Sequence, residues 1–126
     1  EVKPEHIVRG NWSYQKGKEV ARELLSRKDH PDAIVAMNDE MAVGVYHAAE
    51  DLGIKIPEEV SVTGFDNAEI AQYVSPKLTT VDRPLQEMGY RSMELLLNMI
   101  HGINVGDVNI TLPCSIVEGE SVKDRS

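Results

Sequence analysis

Cysteines, basic residues and long apolar runs are scarce in this sequence of 126 residues, and each scarcity excludes a class of protein. The single cysteine, Cys114, excludes an internal disulfide and a cysteine-based metal site, and it suits a reducing compartment. Thirteen basic residues against 21 acidic ones give a net charge of −8, which disfavours direct binding to nucleic acid or to an anionic membrane. The longest apolar runs are far shorter than a bilayer span, so we expect no membrane crossing.

The remaining composition is that of a folded domain. Apolar residues make up 41% and charged residues 27% of the chain, which is typical of globular rather than disordered sequences. The length suits one domain or part of a larger one. The sequence begins at Glu1 without a methionine or an apolar leader, so we expect a processed chain or a piece of a longer protein.

Hydrophobic spacing and turn residues predict alternating strands and helices. We expect strands over His6–Arg9, Ala33–Met37, Val60–Phe65, Leu78–Val81 and Asn109–Val117, the last interrupted by Pro113. We expect helices over Tyr14–Arg27, from a cap at Asn38 to Leu52, over Ala68–Tyr73 and from Pro84 to about Ile100. This alternation predicts an α/β fold with a doubly wound, mainly parallel sheet, followed by a polar, frayed tail over Glu118–Ser126.

Polar and aromatic residues follow the first four predicted strands. They are Trp12, Asn38, Asp66 and Arg83. In open α/β sheets ligands bind beyond the carboxyl ends of the strands, so we expect these side chains at one edge. A carboxylate, an amide, a guanidinium and an indole together suit a polyhydroxylated ligand with a ring. Each residue also has a simpler interpretation: a packed loop aromatic, a helix cap, a turn residue and a solvated charge, respectively.

Enzyme chemistry has little support in the sequence. The four histidines, His6, His30, His47 and His101, are scattered, and no serine stands in a nucleophile-elbow pattern. Cys114 falls inside the last predicted strand, so we expect an inert, buried thiol. We therefore predict no catalytic residues, no metal site and no cofactor.

Several motifs in a fixed order resemble the effector-sensing domain of the lac repressor/galactose repressor (LacI/GalR) family of transcriptional regulators. That domain is itself similar to periplasmic sugar-binding proteins. The motifs cover nearly the whole chain: Ala36–Gly44 (AMNDEMAVG), Ile56–Asn67 (IPEEVSVTGFDN), Ser75–Val81 (SPKLTTV), Met88–Gly89 and Leu112–Glu118 (LPCSIVE).

The resemblance implies a cytoplasmic regulator whose affinity for operator DNA is set by a small effector, a sugar or sugar derivative. It implies that Asp66 holds effector hydroxyls, that Asn38 hydrogen-bonds beside it and that Trp12 stacks on the ring. Arg83 then stands at a polar position of the pocket, and Met88 lines the other side of the cleft.

The resemblance also implies a homodimer, with the sensing domains paired partly through two segments of this chain. The candidate interface residues are Met41, Val45, Tyr46 and Tyr73. The first three stand at helical spacing, so they can equally be core residues facing their own sheet.

The sequence departs from the family in what it lacks. The helix-turn-helix and hinge helix, nearly all of the N-terminal lobe, and the first strand and helix of the C-terminal lobe have no counterpart here, and Gly119 stands where the family usually has Arg. We therefore assign 1–82 to a partial C-terminal lobe, 83–104 to a crossover helix that packs in the other lobe, and 105–126 to a return strand and tail. We expect the crossover helix to dock on this lobe or on a second copy.

Two other functions remain open at this stage. The chain can be a fragment of a periplasmic sugar-binding protein for transport or chemotaxis, which a secretory leader upstream would indicate. It can also be an α/β enzyme domain without a role on DNA, which ranks last because no nucleophile–base pair or metal set is present.

Overall fold

The computed structural model describes residues 3–106 and 108–124 of the chain. Three α-helices and four short strands alternate along it, with two single-turn 3₁₀ helices at Pro4–His6 and Glu69–Gln72. In order, they are α1 (Tyr14–Leu25), β1 (Ala33–Val35), α2 (Asp39–Leu52), β2 (Ser61–Thr63), β3 (Thr80–Asp82), α3 (Leu85–Ile100) and β4 (Ser115–Val117).

The strands confirm the predicted α/β fold with a parallel sheet. β1 and β2 pair in parallel, with Ile34 opposite Val62. Two parallel bridges continue the pairing towards β3: Thr63, the last residue of β2, pairs with Thr79, and Asp66 pairs with Asp82. β3 in turn pairs with β4. The carboxyl ends of β1, β2 and β3 therefore face the same edge.

The ends of α1 and α2 are fixed by the local signals in the sequence. The Ser13 side chain accepts a hydrogen bond from the Lys16 amide at the start of α1, and the Asn38 side chain accepts one from the Met41 amide at the start of α2. Gly53 ends α2 with a left-handed φ of 70°, which a glycine adopts without steric cost.

The core lies where α1 and α2 pack on each other and on β1 and β2. It is made of apolar side chains from all of these elements and from the loop before β3. Its largest members include Leu25, Met41, Val45, Tyr46, Val60, Val62 and Leu78. The two helices approach most closely at Gly17 and Gly44, where the backbone of one helix occupies the space of a side chain on the other.

The chain divides into two compact units. The first contains the described residues up to Asp82 and those from Ile116 onward, and the second is Arg83–Ser115. α3 makes up half of the second unit and buries none of its side chains. Among its apolar residues, Leu85, Met93 and Ile100 are more than half exposed. The predicted division into lobes at 82/83 and 104/105, and the docking of this helix, stay predictions.

Two predicted strands are wrong in whole or in part. His6–Arg9 forms no strand, and only Ser115–Val117 of the predicted Asn109–Val117 strand is regular. A strand needs a neighbour for its backbone hydrogen bonds, and within 3–106 and 108–124 the sheet pairs no strand with either segment. Cys114 is consequently exposed, which corrects the prediction of a buried thiol.

The predicted fraying of the tail is also wrong for residues 118–124, and residues 125–126 lie outside the described part of the chain. Ser121 is fully buried, and its backbone oxygen accepts a hydrogen bond from the Val62 amide at 2.8 Å. Its hydroxyl donates to the Val62 carbonyl and accepts from the Thr79 amide. Gly119 packs so tightly that a Cβ would overlap the Lys77 carbonyl oxygen, so this backbone path leaves no room for the arginine usual in the family.

No helix in the described residues is both long enough and apolar enough to span a bilayer.

Candidate functional site

Asn38 fills two structural roles at the carboxyl end of β1. Its side-chain oxygen accepts from the Met41 amide at 2.9 Å, so the simpler interpretation as a helix cap is confirmed. Its side-chain nitrogen donates to the Trp12 backbone oxygen at 3.2 Å, which fixes the loop that carries the indole. The amide group has a second N–H and a further lone pair with which to contact a ligand.

Trp12 stands out into solvent beside Asn38. Its side chain is 67% exposed, so the interpretation as a packed loop anchor is wrong. Asn11 and Trp12 have φ values of 50° and 58°, a left-handed conformation that residues other than glycine seldom adopt. The loop is thus held in an uncommon backbone geometry that presents an aromatic face at the strand ends.

Asp66 and Asn67 form a strained turn after β2. Their φ values are 117° and 52°, and both side chains are half-buried. The Asp66 amide donates to the Val81 carbonyl at 2.9 Å, and the Asn67 side chain donates to Asp82 Oδ1 at 2.9 Å. Strain of this kind persists only where the surroundings over-determine it, and it is concentrated at ligand sites.

Three polar residues that hold the Asp66–Asn67 turn were not predicted from the sequence as parts of the site: Asp39, Thr80 and Asp82. Asp39 was not among the predicted ligand-binding residues, yet its carboxylate is fully buried and contacts the segments beyond β2 and in β3. Thr80 and Asp82 hold Asn67 through its backbone and its side chain. The sequence offered a signal for two of them, because Asp39 follows Asn38 and Asp82 precedes Arg83.

Arg83 and Met88 belong to the second compact unit, whereas Trp12, Asn38 and Asp66 belong to the first. Arg83 is half-buried, and Met88 is exposed on the first half of α3. Their contribution to the ligand site stays a prediction.

An apolar groove of about 460 Å³ is lined by residues of α1, β1, α2 and the segment before α1. Trp12 and Arg9 stand at it, but its floor is formed by Val20, Leu24, Ile34 and Val45, and it is lined by neither Asn38 nor Asp66. Few polar groups face it, so it is the uncovered side of the core rather than a site for a polyhydroxylated ligand.

Three of the four predicted interface residues are buried within the chain. Met41, Val45 and Tyr46 are core residues of α2, so their side chains are consumed by packing inside one copy, which corrects their assignment to a dimer surface. Tyr73 is 74% exposed. The dimer interface stays a prediction and now depends on Tyr73 alone.

Tyr46 makes stability depend on pH in the alkaline range. Burial raises the pKa of Tyr46 to about 12, and its hydroxyl donates to the Pro76 carbonyl at 2.9 Å. The unfolded chain releases this proton near pH 10, before the folded chain does, so the contribution is complete below pH 10 and is lost as the pH rises towards 12. Between pH 9 and pH 12, we expect the free energy of unfolding to fall by roughly 1–2 kcal/mol more in the wild-type chain than in Tyr46→Phe. Urea unfolding of both chains at pH 9 to 12 measures it, and parallel profiles would contradict it.

Within residues 3–106 and 108–124, no group of three or more histidine, cysteine, aspartate or glutamate side chains is arranged to hold a metal ion.

Comparison with known proteins places this arrangement in a family. A profile of the periplasmic binding protein-like domain matches residues 2–122. The HTH-type transcriptional repressor CytR of Escherichia coli K12 is 34% identical over 116 residues, which is 92% of this chain and 34% of CytR. The chain thus spans about a third of the length of that relative.

Two solved structures share the fold closely. The transcription regulator CcpA of Lactococcus lactis matches 98% of this chain and 45% of its own, with a TM-score of 0.88 and 33% identity. A LacI family regulator from Enterococcus faecium with bound ribose matches 88% of this chain and 41% of its own, with a TM-score of 0.80 and 35% identity. These similar proteins are transcriptional regulators, not enzymes. The chain therefore belongs to the periplasmic binding protein-like domain family, and within it the chain is similar to part of the LacI/GalR-type transcriptional regulators.

Proposed function

We propose that this chain is the effector-sensing part of a LacI/GalR-type regulator and that its effector is a sugar or a sugar derivative. The observation that carries this proposal is the strained Asp66–Asn67 turn, which lies at the same sheet edge as Asn38 and the exposed Trp12. A ribose-bound relative of the same fold supports the ligand class.

Each residue has a role that its chemistry suits. The Asp66 carboxylate accepts hydrogen bonds from two vicinal hydroxyls, and the free N–H of the Asn38 amide donates to a third oxygen. The Trp12 indole covers the apolar face of the sugar ring.

Regulation follows if the effector binds one arrangement of the parent protein more tightly than another. The shift in operator affinity is then limited by that difference in affinity. Operator DNA binds through a helix-turn-helix of the parent, because this chain carries a charge of −8 and no such motif. The parent works in the cytoplasm, where the DNA is, as a homodimer paired partly around Tyr73. The similarity to repressors such as CytR makes the periplasmic transport alternative less supported.

Fluorescence of Trp12, the sole tryptophan, tests the proposal directly. We expect ribose, or another sugar in a panel of pentoses, hexoses, disaccharides and nucleosides, to change its emission saturably. Asp66→Ala should weaken binding by at least about tenfold, because it removes a charged hydrogen-bond acceptor. Asp51→Ala is the matched control, because it removes a carboxylate at the C-terminal end of α2, whereas Asn38 caps the N-terminal end. It should bind the sugar as tightly as wild type does. Equal affinity of wild type and Asp66→Ala would contradict the assignment of Asp66.

A further inference from the structure

We propose that Asp39 is a positioning residue for this site: it holds the Asp66–Asn67 turn in the geometry in which Asp66 meets the effector. The inference rests on the proposed function of Asp66. Asp39 itself has no exposed surface, so it cannot touch a ligand and acts only through its neighbours.

The Asp39 carboxylate joins three parts of the sheet edge. Its Oδ2 accepts a hydrogen bond from the Ala68 amide at 2.7 Å, and its Oδ1 accepts one from the Thr80 hydroxyl at 2.6 Å. At Gly64, on the end of the strand that leads into the turn, a Cβ would overlap Asp39 Oδ1, so only a glycine admits the carboxylate there. A buried carboxylate is costly unless it is paired or hydrogen-bonded. The first turn of α2 also favours its negative charge.

The turn is held from both sides by these contacts. Before it, the Asp66 amide donates to Val81, and after it, the Ala68 amide donates to Asp39. Between them, the Asn67 amide points to Thr80 Oγ1 at 3.4 Å, and the same hydroxyl donates to Asp39. Two consecutive residues with positive φ keep that conformation only under such constraint, so loss of the Asp39 contacts releases the turn.

Asp39→Asn is the sharpest substitution because it preserves shape. In one orientation the new amide nitrogen faces the Ala68 amide, a donor against a donor. In the other, the nitrogen faces the Thr80 hydroxyl, whose proton then loses its acceptor. Either way a buried donor, the Ala68 amide or the Thr80 hydroxyl, is left without its acceptor, and the negative charge that strengthened both contacts is removed. Glu40→Gln is the matched control, since it removes the same charge from the same turn of α2 at an exposed position.

Amide hydrogen exchange in the ligand-free chain is the first readout. We expect Asp39→Asn to speed exchange at Ala68 by about tenfold or more, relative to amides in the middle of α1, and Glu40→Gln to leave it unchanged. A uniform change across the chain would indicate a merely structural role and overturn the proposal, as would an unchanged rate at Ala68.

Ribose binding, followed by Trp12 fluorescence, is the second readout. Asp39→Asn should weaken binding by about tenfold in the presence of Asp66 and by less than about twofold in the Asp66→Ala background. Equal losses in both backgrounds would overturn the positioning role. If Asp66→Ala binds as wild type, the proposed function of Asp66 fails instead. If ribose does not bind, exchange at Ala68 decides the matter alone.

Thr80 provides a second route if Asp39→Asn does not fold. Thr80→Val removes the hydroxyl that links Asp39 to Asn67 but leaves the Ala68 contact. It should speed exchange at Asn67 by about fivefold, and Thr80→Ser should restore the wild-type rate because it keeps the hydroxyl. No rescue by serine would contradict the proposed link.

Discussion

Gly44→Val is expected to lower the free energy of unfolding by about 3 kcal/mol, through a clash that no side chain can relieve. A Cβ at Gly44 would lie 2.6 Å from the Lys18 backbone nitrogen and 2.7 Å from the Tyr14 backbone oxygen. These atoms belong to α1 itself, so the helices must separate to admit any side chain. A glycine inside a helix costs roughly 0.5–1 kcal/mol relative to alanine, and here the close approach of α1 and α2 offsets that cost.

Urea unfolding, followed by the helical circular dichroism signal, measures this effect. Gly89→Val is the matched control, because Gly89 also lies inside a helix but a Cβ there meets no atom within 4 Å. Valine and glycine differ little in helix propensity, so this variant should change stability by less than about 0.5 kcal/mol. Similar unfolding midpoints for both variants would show that the helices are not held at the separation described.

Ending the chain after Glu118 is expected to abolish cooperative unfolding altogether. The truncation removes three backbone amides that donate hydrogen bonds to the rest of the chain. The acceptors are Thr79 and Lys77, just before β3, and Ser61 in β2. It also removes Ser121, which is hydrogen-bonded both to Val62 in β2 and to Thr79 just before β3. Each hydrogen bond contributes about 1 kcal/mol net, and a domain has only about 5–15 kcal/mol in all.

Ser121→Ala is the point variant that reproduces part of this loss. It leaves the Thr79 amide and the Val62 carbonyl without their side-chain partner, at an expected cost of about 2 kcal/mol. Ser26→Ala makes the same chemical change on an exposed side chain and should have little effect. Thermal unfolding by circular dichroism compares the chains, and a truncated chain with a full cooperative transition would contradict the role assigned to this segment.

Local signals in the sequence were sufficient for the order of elements and for the helix ends. Ser13, Asn38 and Gly53 act within four residues of their own position, so their roles follow from the chain itself. The strands were predicted in the right order but too long, and the segments without a neighbour formed no strand. Strand length depends on the pairing partner, which the pattern of a single segment does not contain.

The sequence predicted which residues lie at the candidate site, but not the buried residues that hold them in place. Asn38 and Asp66 were predicted to lie at one edge because parallel strands bring their carboxyl ends together. Trp12 lies beside Asn38 although the strand predicted before it does not form. Asp39 was not found, because its partner Ala68 is 29 residues away and Thr80 is 41 residues away. Nothing in the first turn of a helix distinguishes a solvated aspartate from one that is buried in a network.

The sequence by itself determined the fold class, the family and the residue types at the strand ends, because these depend on periodicity, caps and motif spacing. Only the tertiary structure decided which residues are buried. Met41, Val45 and Tyr46 lie in the core, whereas Trp12 is exposed to solvent. Ser121 is buried against Val62, which lies 59 residues earlier in the chain. The physical reason is that burial and hydrogen-bond satisfaction are properties of contacts between distant segments, and those contacts exist only once the chain has folded.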